Sequence, residues 1–217
     1  MPGTKEPTND LWEAMYTQRA IRWWRPEPVA DELIWKLIEA ATRAPSGTNL
    51  QPWAFVVVKD DAMRAKIAGA VRDRMLGNPG MKTFIESGAK SEDKSQRLMM
   101  GGVGNIVEHL DSAPVFIIPC LVNPQSPAPE GLLAGSSIYQ AVQNLMLAAR
   151  GLGLGTVMTT FQAGMPDLKE WLGLPDGATA TALIPVGWPD RNFGPVQRKP
   201  VEEVTHWDMW GFKKGRS

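Results

Sequence analysis

Apolar residues recur at three- and four-residue intervals between Asp31 and Thr42, where Leu33, Ile34, Leu37, Ile38 and Ala41 share one side. That spacing predicts an amphipathic helix, and Pro45 and Gly47 stop it. The next apolar run, Phe55-Val56-Val57-Val58, is continuous and mostly β-branched, which predicts a short buried strand. Upstream, Asp10 can cap a first helix reaching about Gln18, with Leu11, Trp12 and Met15 on one face. Downstream, a helix fits Asp61 to Met75, and "APVFIIPCLV" gives a second strand interrupted by Pro119. "NPQSPAPEG" reads as a loop. The longest helix is expected from about Leu132 to Arg150, its Ala134, Gly135, Ser136, Ser137, Ala141 and Ala148 permitting close approach of another helix. After "GLGLG" come a strand "TVMTT", a short helix "MPDLKEWLGL" and a strand "ATALIPVGW". Between Gly77 and Gly104 the chain mixes Gly, Ser, Lys, Met and charge, as a partly helical, mobile lid would. Strands and helices interleave without the regular alternation of a doubly wound sheet. The expected class is α+β, one domain over residues 1–217 with a central sheet packed by helices.

Composition narrows the function. Of 217 residues 43% are apolar, 23 are basic and 23 acidic, so neither disorder nor a general affinity for nucleic acid or anionic membranes is expected. The single cysteine, Cys120, rules out an internal disulfide and fits a reducing compartment. With only His109 and His206 beside it, a usual zinc set is not expected. The opening "MPGTKEPTND" lacks the apolar core of a signal peptide, and no run is long enough to span a bilayer. A cytoplasmic protein is the expectation.

Several motif fragments lack their required context. A dinucleotide fingerprint needs strand, glycine turn and helix in that order, whereas "GLGLG" follows a helix and precedes a strand. It reads as a helix end and a place of close packing. "GGVG" at Gly101 is not followed by Lys-Ser/Thr, and Ser46 lacks the surroundings of a nucleophile elbow. Nine tryptophans flank no spanning segment, so core and interface roles are expected of most. What survives is a pair of basic clusters, Arg19, Arg22 and Arg25 in "RAIRWWRP" and Arg198 with Lys199 in "VQRKP". Together they could grip one phosphate through charge-assisted hydrogen bonds, although solvation is the usual fate of such side chains.

The order and spacing of these pieces closely resemble the nitroreductase-like flavoprotein family. The resemblance is carried by "RAIRWWRPEPVADELIWKLIEAATRAPSGTNLQPWAFVVVKD", by "GLGLGTVMTT" and by "ALIPVGWPDRNFGPVQRKPVEEV", with "PSGTNLQPW" the most specific piece. It implies a mostly antiparallel sheet surrounded by helices, a lid over 77–104, and a homodimer with FMN at the subunit interface. Pro45, Ser46 and Gly47 would contact FMN, usually from the partner, with Asn49 and Gln51 in support. Gln18, Arg19, Ala20 and Arg22 match the family's flavin motif, but Gln18 stands where Arg is common and Ala20 where Ser is common. Arg19 and Arg198 would then hold the phosphate and Arg22 would face the pyrimidine edge, where a cation stabilises negative charge. Thr159 and Thr160 match the segment near flavin N5, which makes Arg22 and Thr160 the catalytic candidates. The implied activity is NAD(P)H-dependent reduction of nitroaromatics, quinones or related acceptors in a ping-pong cycle. A reductive dehalogenase of the iodotyrosine deiodinase type is the alternative. That branch clamps its substrate with a lid Glu, Tyr and Lys; the lid here offers Glu86, Glu92 and lysines, while Tyr16 and Tyr139 lie elsewhere. A non-catalytic flavin-binding or storage protein is the third reading.

Overall fold

The computed structural model of the chain describes residues 3–122 and 135–215. Among these residues five strands, β1 (Trp53–Val58), β2 (Val115–Val122), β3 (Gly155–Thr156), β4 (Ala178–Ala180) and β5 (Ile184–Gly187), form one sheet ordered β1-β2-β5-β3, with β4 also on β2. All its strand pairings are antiparallel. Around it lie α1 (Leu11–Thr17), α2 (Asp31–Thr42), α3 (Asp61–Gly77), α4 (Pro79–Ala89), α5 (Lys94–Glu108), α6 (Gly135–Gly151), α7 (Leu168–Trp171) and α8 (Val201–Val204). This is the mixed helix-and-sheet architecture expected.

Alternation along β2 divides the core. Phe116, Ile118 and Cys120 face a cluster with Ile67, Ala68 and Val71 of α3, Ile106 of α5, Ile21 and Trp24. Val115 and Ile117 face the opposite cluster, made by Ile34, Leu37 and Ala41 of α2 and Ala141, Val142, Leu145 and Ala149 of α6. The sheet is therefore covered on both faces, which accounts for the unbroken apolar character of β2.

Two prolines explain where the strands depart from expectation. Pro119 occupies a central strand, where it has no N–H to give. Opposite it the neighbouring strand bulges: β4 pairs through Cys120 with Ala180, β5 through Ile117 with Ile184, so three residues face two. Thr181 covers the Pro119 carbonyl with both its N–H and its hydroxyl, each at 2.9 Å. "ATALIPVGW" is thus not one strand: its first residue, Ala180, ends β4, and Ile184–Gly187 form β5. "TVMTT" contributes regular pairing only at Thr156, and its Thr159 rejoins as an isolated bridge to Leu183. In that register Val157 faces Pro185, which cannot complete the rung.

Residues 77–104 are more helical than expected. Asn78 caps α4, with Pro79 in its first turn, and Asp93 caps α5 by accepting from the Gln96 N–H at 2.6 Å. The expected long helix appears as α6; its Leu132–Ala134 start, like the "NPQSPAPEG" loop, lies outside the described residues, and α3 is as long at 17 residues. Among the described residues no helix is long and apolar enough to cross a membrane.

Candidate active site

The arginine segment leaves α1 in extended conformation. Asp10 accepts from the Glu13 N–H at 2.6 Å to start the helix, and Gln18 ends it. The next residues lie along β3: the Ile21 N–H donates to the Thr156 carbonyl at 3.0 Å, and the Trp24 indole donates to the Gly155 carbonyl at 3.1 Å. Gly155 is required for this contact. A Cβ there would stand 2.7 Å from the Ile21 methyl Cγ2.

Arg19 is exposed and Arg22 half-buried. Burial first, and the neighbouring Arg19 charge second, lower the Arg22 pKa. The far basic cluster is brought to the same place, because the Val196 N–H donates to the Tyr16 carbonyl at 3.0 Å and Gly194 packs beside the Arg19 guanidinium. Arg198 follows, exposed, its Nη1 donating to the adjacent Gln197 carbonyl at 2.8 Å. Among the described residues none of Arg19, Arg22 and Arg198 has a carboxylate within ion-pair distance. Arg25, by contrast, pairs with Glu27 at 3.2 Å and stands apart from the set. The segment that carries Arg198 thus adjoins the one that carries Arg19 and Arg22, and among the described residues no carboxylate neutralises these three cations.

Gln18 replaces a charge by a weak contact, its amide 3.9 Å from the Met146 sulfur, and Ala20 packs on the core. Thr159 is tied down, its hydroxyl donating to the Leu183 carbonyl at 2.8 Å. Thr160 is exposed and its hydroxyl makes no hydrogen bond among the described residues, so it can serve a ligand.

The Pro45–Asn49 loop is built separately. Thr48, Asn49 and Gln51 all have φ near +50°, a conformation costly for non-glycine residues and worst for β-branched Thr48. Ser46 holds the turn by accepting from the Gln51 N–H at 2.9 Å, and the Gly47 N–H reaches the Ser137 hydroxyl at 3.4 Å. Pro45, Gly47 and Asn49 remain exposed. Gln18 meets α6 at Met146, nine residues beyond Ser137, or about 13 Å along the helix. No hydrogen bond or ion pair among the described residues joins the loop to the arginine segment. Within one chain the arginine-bearing segments adjoin, while the strained loop sits against a different stretch of α6.

Two site residues were not legible in the sequence. Asn105 of α5 donates its amide to the Arg22 carbonyl at 2.6 Å, and Gly102 leaves room for the Arg22 and Trp23 side chains. α5 is thereby seated on the arginine segment. An Asn and a Gly inside a helix were the only signals. Exposed Met81, Phe84, Leu98 and Met99 give α4 and α5 an apolar surface.

This fold and site define a class. The chain belongs to the nitroreductase family, whose sequence pattern matches residues 16–188. It is 32% identical over 205 residues to iodotyrosine deiodinase 1 of Rattus norvegicus, covering 91% of this chain and 69% of that protein. To an NADH dehydrogenase of Thermus thermophilus it is also 32% identical, over 209 residues, covering 93% and 97%. Among solved structures, a nitroreductase with bound FMN from Desulfitobacterium hafniense superposes with a TM-score of 0.69 at 22% identity, covering 93% of this chain and all (100%) of that one.

Proposed function

We propose that the protein is an FMN-dependent oxidoreductase that uses NAD(P)H to reduce flat, electron-poor acceptors such as nitroaromatics and quinones in a ping-pong cycle. The observation that carries this reading is the approach of two segments far apart in sequence, one bearing Arg19 and Arg22 and the other Arg198, with no carboxylate among the described residues in ion-pair distance of the three. The FMN phosphate fits that set, and a similar chain of the same fold binds FMN. When bound, FMN supplies the redox chemistry, accepting hydride from the nicotinamide and passing electrons to the acceptor. The chain's own side chains bind and orient. Arg19 and Arg198 take the phosphate, with Gln18 and Ala20 lining the segment between. Arg22, its charge partly desolvated, stabilises negative charge at the pyrimidine edge. The Thr160 hydroxyl is offered to the ring near N5, and Thr159 fixes the strand that presents it.

Pro45, Ser46, Gly47 and Asn49 complete the site from a second copy, which makes the working form a homodimer. The separation of that loop from the arginines within one chain supports this arrangement. So does the apolar surface left on α1 and the C-terminal segment, where Trp12 is 63% and Trp210 89% exposed.

The deiodinase relative favours one rival, reductive dehalogenation of a halotyrosine. Neither tyrosine here is in the lid: Tyr16 stacks on Trp12 of α1, and Tyr139 of α6 donates to the Thr181 carbonyl at 3.3 Å. The test is anaerobic steady-state turnover of a nitroaromatic, a quinone and a halotyrosine. The nitroaromatic or quinone is expected to have the higher kcat/KM, with parallel double-reciprocal lines against NAD(P)H. A preference for halotyrosine would reverse the assignment.

A further inference from the structure

Among the described residues, the most deeply buried charge lies outside those assigned above. Arg150, at the end of α6, is 0% exposed. Its Nε donates to the Thr17 hydroxyl at 2.8 Å, Nη1 to the Glu6 carbonyl at 2.8 Å, and Nη2 to Glu13 Oε1 at 3.1 Å. Its guanidinium also lies 4.4 Å from the centre of the Phe193 ring. Burial lowers its pKa and Glu13 opposes that shift. One planar fork thus holds the N-terminal segment, α1, α6 and the segment after β5.

Those are the segments that carry the two halves of the phosphate site. Thr17 precedes Arg19 by two residues, and Phe193 precedes Arg198 by five. Phe193 exchanges both backbone hydrogen bonds with Thr4, at 3.0 and 2.7 Å, and Gly194 beside it packs on Arg19. Glu13 is fixed from its other oxygen by the Thr8 hydroxyl at 2.7 Å. We propose that Arg150 is a positioning residue that sets the spacing between Arg19 and Arg198 and so selects a phosphorylated flavin. This rests on the FMN assignment made above.

Arg150→Lys is the informative variant. It keeps a cation beside Glu13, but a single ammonium cannot reproduce a fork that reaches Thr17, Glu6 and the Phe193 face together. Apoprotein is titrated with FMN and with riboflavin, which lacks the phosphate, at fixed ionic strength. FMN affinity is expected to fall about tenfold, the equivalent of roughly one charge-assisted hydrogen bond, and riboflavin affinity by less than about twofold. Combined with Arg19→Ala, the loss is expected to be less than additive, because both act on one contact. A solely structural Arg150 would lower the melting temperature and leave the FMN-to-riboflavin ratio unchanged; that result, equal losses, or full additivity would overturn the proposal. Should Arg150→Lys fail to fold by circular dichroism, Thr17→Val removes the acceptor of Nε and must show the same FMN-selective loss. A wild-type protein that does not prefer FMN to riboflavin would instead refute the phosphate site itself.

Discussion

Arg198 and Arg22 are expected to make different demands on one ligand. Arg198 has no carboxylate partner among the described residues, so Arg198→Ala should remove a phosphate contact worth roughly 1.5–3 kcal/mol. FMN binding is expected to weaken by about 10- to 100-fold while riboflavin binding holds, as read by flavin fluorescence. Equal losses would move Arg198 from the phosphate to the fold. Arg22→Ala should weaken both ligands and make the flavin harder to reduce, a shift seen in its midpoint potential. Cys120 makes a demand of another kind. Burial pushes its thiol up to about 11 from 9.0. The unfolded chain therefore loses this proton first as pH rises. The associated stability is complete below pH 9 and disappears as pH passes 11. Wild type is expected to lose melting temperature across that window more steeply than Cys120→Ala; identical slopes would show that the thiol does not contribute.

Elements were legible where one local pattern dominated. The 3.6-residue period of α2, the β-branched β1 and the Asp10 cap agree with the structure because local preference and burial coincide there. The central sheet was harder to foresee, since the break in "ATALIPVGW" depends on Pro119, some sixty residues away. The strained turn at Thr48 to Gln51 was hidden too, because only Asn49 among its positive-φ residues tolerates that conformation well. Both basic clusters could be read in the sequence, but their convergence could not: it depends on the Tyr16–Val196 backbone bond. "GLGLG" was legible as a place of close packing, and the structure supplies the partner, Ile21 against Gly155. Gly155→Ala should therefore push the arginine segment off β3, costing about 1–3 kcal/mol. Thermal melts should show the loss, and FMN and riboflavin should both bind less well. An unchanged melting temperature would mean that the segment gives way without cost.

At the scale of the whole molecule the account requires two chains per site. A co-expressed pair of chains, one carrying Arg198→Ala and the other a Pro45-Ser46 substitution, should regain one intact site per heterodimer. The reason is that both defects fall in the same shared site; sites built within single chains would leave none intact. Truncation before Val201 removes the exposed Trp207, Met209, Trp210 and Phe212, and is expected to weaken the dimer in sedimentation. The most direct test of the central claim is anaerobic titration of the purified, yellow holoprotein with NADH and NADPH, followed by its visible flavin absorbance. The account predicts complete bleaching by one reductant equivalent per FMN, and recovery of the colour when a quinone or nitroaromatic is added. A protein that takes up no FMN, or whose bound FMN neither nucleotide can reduce, would contradict it.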